Sequence, residues 1–175
     1  MGKDKIRFFS NTIETPIGSM VAIADEQSIY LLEFTDNKKI KHKIQKIQSQ
    51  TDVEFTNQGN QPINQIFHEL QNYFDGSLKE FKTPITILGS NFQRTVWQDL
   101  MNVPYGKTKS YAEQALAIGK PKSFRAVANA NGANQMAIII PCHRIINSSG
   151  NLGGYGGGLN RKSWLLAHEK KNLGL

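Results

Sequence analysis

The feature that most limits how this chain folds is a change of pattern across residues 82–91. The segment Lys82-Thr83-Pro84-Ile85-Thr86-Ile87-Leu88-Gly89-Ser90-Asn91 reads as an extended connector. Strand-like patterns dominate before it and helical patterns after it. A chain of 175 residues holds one ordinary domain or two small ones, at roughly 100–200 residues each. The connector decides for two. The expected fold class is α+β, with an N-terminal α+β domain over residues 1–86 and a mainly helical domain over residues 87–175.

In the first half, Ile6 to Ser10, Met20 to Ala24 and Ser28 to Phe34 have strand character. Thr15-Pro16-Ile17-Gly18 supplies a turn, so an antiparallel meander is expected. Ile40, Ile44 and Ile47 recur at helical spacing, which predicts an amphipathic helix over 36–49 with its lysines outside. Pro62 to Phe74 repeats the pattern, and Asp75-Gly76 stops it.

In the second half, Phe92, Val96 and Leu100 recur every fourth residue, with Ser90 or Asn91 as N-cap. Pro104-Tyr105-Gly106 ends that helix. A short helix over 110–118, a Gly-Lys-Pro-Lys connection and a helix over 123–131 capped by Ser123 have the proportions of a helix-turn-helix. Ala126 and Ala130 stand four residues apart, and small side chains there suit close approach to a groove wall over direct reading of base edges. The bland alternative makes those alanines core and Arg125 a solvated surface residue. Ala137 to Ile140 reads as a buried extended segment, and Lys162 to Lys170 as a closing helix.

Charge divides at the same place. The net charge is +7, yet residues 1–87 carry 10 basic and 11 acidic side chains, and residues 88–175 carry 11 and 3. A basic half of this size points to a polyanion partner, nucleic acid first. No apolar run reaches the ~18 residues of a membrane span. The N-terminus has no apolar signal core, and Ile6 stands where the myristoylation pattern following Gly2 needs Ser or Thr. No membrane association and a cytoplasmic location are therefore expected. A lone cysteine, Cys142, excludes an internal disulfide and a multi-cysteine zinc site.

Ile140-Pro141-Cys142-His143-Arg144-Ile145-Ile146 is the most informative stretch. A free cysteine is by default a small buried hydrophobe, and flanking isoleucines fit that. Pro, His and Arg beside the thiol fit a nucleophile instead, since only the thiolate attacks well and a nearby imidazole, held by a carboxylate, can take the proton. Carboxylates available in this half are Asp99, Glu113 and Glu169. Six of the fifteen glycines fall between residues 150 and 158, so a flexible surface loop, a phosphate cradle or a pocket wall follows the thiol; its position favours the wall. A thiol hydrolase and a non-enzymatic helix-turn-helix regulator are rival readings. The first leaves the basic half without purpose, and the second leaves Cys142 without one.

Pro141-Cys142-His143-Arg144-Ile145-Ile146, Ser148-Ser149-Gly150, Gly157-Gly158-Leu159 and Trp164-Leu165-Leu166-Ala167-His168-Glu169 closely resemble the O6-alkylguanine-DNA alkyltransferases, also called methylated-DNA–protein-cysteine methyltransferases. The resemblance runs from about Phe92 to Glu169; the first half matches only in layout. It implies an N-terminal ribonuclease H-like domain and a C-terminal domain whose helix-turn-helix binds the minor groove of double-stranded DNA carrying O6-alkylguanine. It implies irreversible transfer of an alkyl group from O6 of guanine, or O4 of thymine, to the chain's own cysteine. No cofactor or obligate protein partner takes part, and the chain acts as a monomer.

The resemblance also implies roles for individual residues. Cys142 is the acceptor, His143 the base acting through a water, and Glu169 its orienting carboxylate. Tyr111 rotates the nucleotide and stabilises the departing guanine. Arg125 fills the gap in the base stack, with Ser123, Ala126, Ala130, Lys107 and Lys122 on the DNA. Asn134 holds the turn before the cysteine. Arg144, Ile145, Tyr155, Gly156 and Gly157 belong to the substrate pocket. Gly156 stands where several relatives carry serine, and its backbone N–H keeps the contact to O6. Ala137 stands where the mammalian form has a proline that packs on bulky alkyl groups.

Overall fold

The structure is a computed structural model that describes residues 5–49 and 53–174. Gly2 and the N-terminal residues before Lys5 lie outside the described residues. The chain divides into two compact units, residues 1–88 and 89–175.

The first unit is built on a four-stranded sheet of β1 (Ile6–Thr15), β2 (Gly18–Ala24), β3 (Ile29–Phe34) and β4 (Val53–Thr56), in the order β3-β2-β1-β4. The meander expected from the turn at Pro16 is present: β1 pairs antiparallel with β2, and β2 with β3. β4, which the sequence reading did not anticipate, joins the far edge parallel to β1, with Phe8 opposite Phe55. Strand alternation sends residues of opposite parity to opposite faces. Ile23, Leu31 and Phe8 pack with Ile47 of α1 (Ile40–Gln48). Met20, Ala22 and Ala24 are fully buried, and α2 (Gln61–Asp75) packs on β1 and β2.

Two expectations for this unit need correction. The lysines of α1 are not all outside: Lys43 is buried, and its ammonium lies 2.6 Å from Glu33 Oε2. Its four-carbon stem adds apolar surface to the core, and the buried carboxylate supplies the partner that a buried ammonium requires. The connector is extended but not loose. Ile29 donates to Pro84 O at 2.9 Å, and Thr86 donates to Ile29 O at 2.8 Å. Glu69 of α2 accepts from the amides of Lys82 and Thr83 at 2.9 and 3.1 Å.

The second unit contains α3 (Asn91–Met101), β5 (Lys109–Ser110), α4 (Tyr111–Ala117), α5 (Phe124–Gly132), a single 3-10 turn (Cys142–Arg144), β6 (Ile145–Ile146) and α6 (Leu159–Asn172). Ser90 and Ser110 each make a capping box, with Gln93 and Glu113. Ser123 occupies the N-cap position of α5 but makes no capping hydrogen bond, because its backbone is not extended there (φ −101°, ψ 25°). Trp97 of α3 is buried and donates to Ala130 O of α5 at 2.8 Å. Gln114 of α4 accepts from Asn131 Nδ2 at 2.8 Å and donates to Val96 O at 3.3 Å. These buried bonds join α3, α4 and α5. Parallel pairing of β5 with β6, Ser110 opposite Ile146, brings the start of α4 beside the segment that follows the cysteine.

Candidate active site

Residues 137–140 are not extended. After α5 the chain makes tight turns around Asn134, which is buried. Asn134 Oδ1 accepts from Met136 N at 2.9 Å. Its Nδ2 donates to Ile140 O at 2.8 Å, lies 3.4 Å from Met136 O, and points at Cys142 Sγ from 3.3 Å. Ile138 is left-handed (φ 73°), a conformation that costs a β-branched residue roughly 1–3 kcal/mol. Hydrogen bonds from Ile139 N to Ala137 O and from Ile140 N to Met136 O, both 2.9 Å, enclose it. The apolar run reads as a strand because its side chains are core, with Ile138 and Ile140 buried. One amide side chain replaces the strand partner. The bend continues through Pro141, with Cys142 N donating to Ile140 O at 2.8 Å.

The 3-10 turn then sends consecutive side chains in different directions. Cys142 is half-buried, whereas His143 and Arg144 point inward and are buried. There they meet Glu169. Lys162, Leu165 and Glu169 are the buried residues of α6, at spacings of three and four, so they form one helical face. Glu169 Oε1 lies 2.7 Å from His143 Nε2 and accepts from Arg144 Nη2 at 3.0 Å. Glu169 Oε2 accepts from Arg144 Nε at 2.9 Å and from Gly106 N at 3.0 Å. Arg144 Nη1 donates to Val103 O at 2.7 Å. Gly106 adopts φ +74°, and a Cβ there would collide with Leu173.

Of the three carboxylates open to the sequence reading, only Glu169 reaches the imidazole. Asp99 pairs with Lys109 at 2.8 Å, and Glu113 caps its own helix at Ser110 N, 2.6 Å. Burial alone would push the Glu169 carboxyl up, but the His143 and Arg144 hydrogen bonds and charges outweigh it and hold the group well below the usual range. Burial pushes His143 below the ordinary imidazole value and outweighs the pull of Glu169. An ionised Glu169 has only lone pairs to offer, so Nε2 carries the imidazole proton and Nδ1 is the basic atom.

Tyr111 and Lys162 both feel the charge of Cys142. Tyr111 Oη lies 3.5 Å from Gly154 O. Burial, and next the negative charge of Cys142, raise its pKa, so the phenol keeps its proton. Lys162 is buried; its ammonium donates to Ile145 O at 2.5 Å and Gly154 O at 3.0 Å, and sits 5.8 Å from the Tyr111 ring centroid. Burial lowers it to about 8, with the Cys142 charge acting in the opposite sense. Gly153 is required where it stands: its φ is +70°, and a Cβ would come within 2.9 Å of the Tyr111 ring.

Other expected site residues fall in different places. Arg144 and Ile145 are buried; Arg144 holds Glu169, and Ile145 O accepts from Lys162. Tyr155 and Gly157 are half-buried and Gly156 is exposed in the glycine loop. Lys107, Lys122, Arg125 and Ala126 are exposed and Ser123 is half-buried. Ala130 is buried at 3%, so its side chain cannot meet a groove. The exposed side of α5 is Phe124, Arg125, Ala126 and Asn129.

Lys162 and Gly106 were missed by the sequence reading. Counting back along α6 from Glu169 by four and then three gives Leu165 and Lys162, which is the signal that Lys162 faces inward. Gly106 acts through its backbone N–H and leaves no comparable mark.

A half-exposed thiol with an amide N–H aimed at the sulfur, followed directly in the chain by a neutral imidazole held on an ionised carboxylate, defines a cysteine-nucleophile protein. Residues 91–171 match the DNA-binding domain of 6-O-methylguanine DNA methyltransferase, and residues 9–87 match its ribonuclease-like domain. A methylated-DNA--protein-cysteine methyltransferase of Methanosarcina barkeri is 39% identical over 166 residues, 94% of this chain and 99% of that protein. Its counterpart in Mycolicibacterium paratuberculosis is 53% identical over 104 residues, 59% of this chain and 63% of that protein. The crystal structure of Mycobacterium tuberculosis OGT in complex with DNA is similar with a TM-score of 0.81 and 38% identity, over 94% of both chains. This chain belongs to the 6-O-methylguanine DNA methyltransferase family.

Proposed function

We propose that the chain repairs DNA by moving a methyl or other alkyl group from O6 of guanine to Cys142 Sγ, once per molecule. The observation that carries the reading is the Cys142, His143 and Glu169 arrangement, in which a carboxylate fixes the imidazole tautomer and burial keeps the ring a neutral base. His143 Nδ1 takes the thiol proton through a water. Asn134 Nδ2, 3.3 Å from the sulfur, stabilises the thiolate as a hydrogen-bond donor. The sulfur lone pair attacks the alkyl carbon in line; the S–C bond forms, and the C–O6 bond breaks with its electrons left on guanine. Guanine gains one proton as sulfur loses one, so charge balances.

Tyr111 keeps its phenol proton and donates to the departing base, which lowers the barrier. The Lys162 ammonium ties Gly154 O and Ile145 O together beneath Tyr111 and places positive charge near the sulfur. The Gly156 N–H reaches O6, and Tyr155 and Gly157 wall the pocket.

The target base lies inside a duplex and must be extruded, at a cost of a few kcal/mol that is lower for a damaged pair. Arg125 fills the vacated stack, with Ala126 against the groove wall. Lys107, Lys122 and Ser123 contact phosphates. A single copy carries the whole constellation and acts as a monomer in the cytoplasm, where a free thiol stays reduced. The product thioether has no good leaving group, so each chain is consumed. Incubation with excess duplex bearing a labelled O6-methylguanine leaves about one label per chain on the protein. Continued release of label would overturn the reading.

A further inference from the structure

Phe124 is the first residue of α5 and is 51% exposed. Among the described residues of its unit it is the only exposed aromatic: Trp97 and Tyr105 are buried, and Phe92, Tyr111, Tyr155 and Trp164 are half-buried. A large apolar ring left in water at a helix entry contributes little to the core that α5 makes through Val127 and Ala130, both buried. Its surroundings in sequence are cationic. Lys120, Lys122 and Arg125 are all exposed, in a half of the chain that carries 11 basic and 3 acidic side chains. An apolar ring ringed by cations does not suit an apolar protein partner. It suits a polyanion with apolar faces inside it, which is the description of a nucleic-acid groove.

We propose that Phe124 is a second wedge for DNA, acting beside Arg125. Consecutive Cα atoms lie about 3.8 Å apart and successive helical side chains diverge by roughly 100°, so the two side chains reach different nucleotides. Arg125 fills the gap left by the extruded base. Phe124 packs on the sugar and base edge of the adjacent step and holds the groove open. The inference rests on the repair reading for its ligand, and it divides the work physically. Arg125 supplies a charge-dependent contribution that salt weakens, and Phe124 supplies an apolar one that salt leaves unchanged.

The test uses the full chain with Cys142→Ser, so that binding is read without transfer. The ligand is a duplex with one O6-methylguanine and a 2-aminopurine beside it. Phe124→Ala is expected to weaken binding about tenfold, in line with the loss of one aromatic contact to a base. The slope of log affinity against log salt stays the same, and the 2-aminopurine signal of the extruded state falls. Phe124→Leu, which keeps an apolar wedge, recovers most of the loss. Because the ring is exposed, both variants are expected to melt with the parent protein.

If Phe124→Ala binds as tightly as the parent while Arg125→Ala does not, the wedge is wrong and the repair reading stands. A Phe124→Ala loss accompanied by a shallower salt slope also overturns it. If the parent binds the lesion duplex no better than an undamaged one, both readings fall. If the lesion duplex is bound but wild-type Cys142 takes no methyl group, the repair reading alone falls, and Phe124 is still judged by the binding series.

Discussion

Glu169→Gln separates the two tasks that converge on one carboxylate. Glu169 is fully buried and takes four hydrogen bonds, at 2.7 Å from His143, 2.9 and 3.0 Å from Arg144, and 3.0 Å from Gly106. The amide keeps the shape but loses the charge, and it places N–H groups where two of those donors already point. Arg144 is left buried without a counter-charge, which costs about 3–5 kcal/mol. At roughly 4–8 °C per kcal/mol for a domain of this size, the melting temperature falls by roughly 12–40 °C. The imidazole also loses the partner that fixes its tautomer, so the single-turnover rate of methyl transfer falls by about 10²–10⁴.

A second variant distinguishes the effects. Arg144→Met combined with Glu169→Leu removes both charges and recovers the part of the stability lost to the unpaired Arg144, but not the hydrogen bonds of His143, Gly106 N and Val103 O, while transfer stays slow. The assays are thermal unfolding and quenched-flow transfer from an O6-methylguanine duplex. A single variant that melts within about 1 kcal/mol of the parent on the same scale would refute the view of Glu169 as the hub. A double variant that regains the transfer rate would refute its role in orienting the base.

Asn134→Ala leaves Met136 N buried without its partner, removes one of the two donors to Ile140 O and releases the strained turn at Ile138, so stability falls by roughly 1–3 kcal/mol and transfer slows, as read by denaturant melts and single-turnover kinetics. Because burial depresses the His143 pKa, its base form persists as pH falls through 6.5, the ordinary imidazole value; the transfer rate stays level there and drops only in more acidic buffer. The sign for stability matches: below 6.5 the unfolded imidazole gains a proton that the folded one resists, so melting temperature declines through that window. Above about 8, Lys162 loses its charge, and the rate declines on that limb in the parent but not in Lys162→Met, which is slower throughout. Lys122→Ala weakens DNA binding evenly across sequences and reduces the salt slope by about 1, as measured by fluorescence anisotropy.

The helices of the second unit were legible because their signals are local. Val96 and Leu100 face the core, and Ser90 and Ser110 close capping boxes with the residues three places on. What stayed hidden depends on parts of the chain far apart. β4 has four residues and exists because β1 offers it an edge. Lys43 and Lys162 carry a surface residue's default and are buried only because Glu33 in one case, and Ile145 O with Gly154 O in the other, wait at the end of their stems. The turn at residues 137–140 has a strand's composition, and Asn134 alone distinguishes the two. Glu169 was one of three candidate carboxylates until the return of α6 and the local pairing of Asp99 and Glu113 left it beside the imidazole. Ala126 and Ala130 looked equivalent by spacing, but the first is exposed and the second is buried in the core.

Intact mass and peptide mapping after exposure to a duplex with one O6-methylguanine test the central claim most directly. A gain of one methyl group, located on Cys142, abolished by Cys142→Ser and never exceeding one per chain, is the predicted result. An unmodified protein that nonetheless demethylates the duplex, or a methyl group found on another residue, would contradict it.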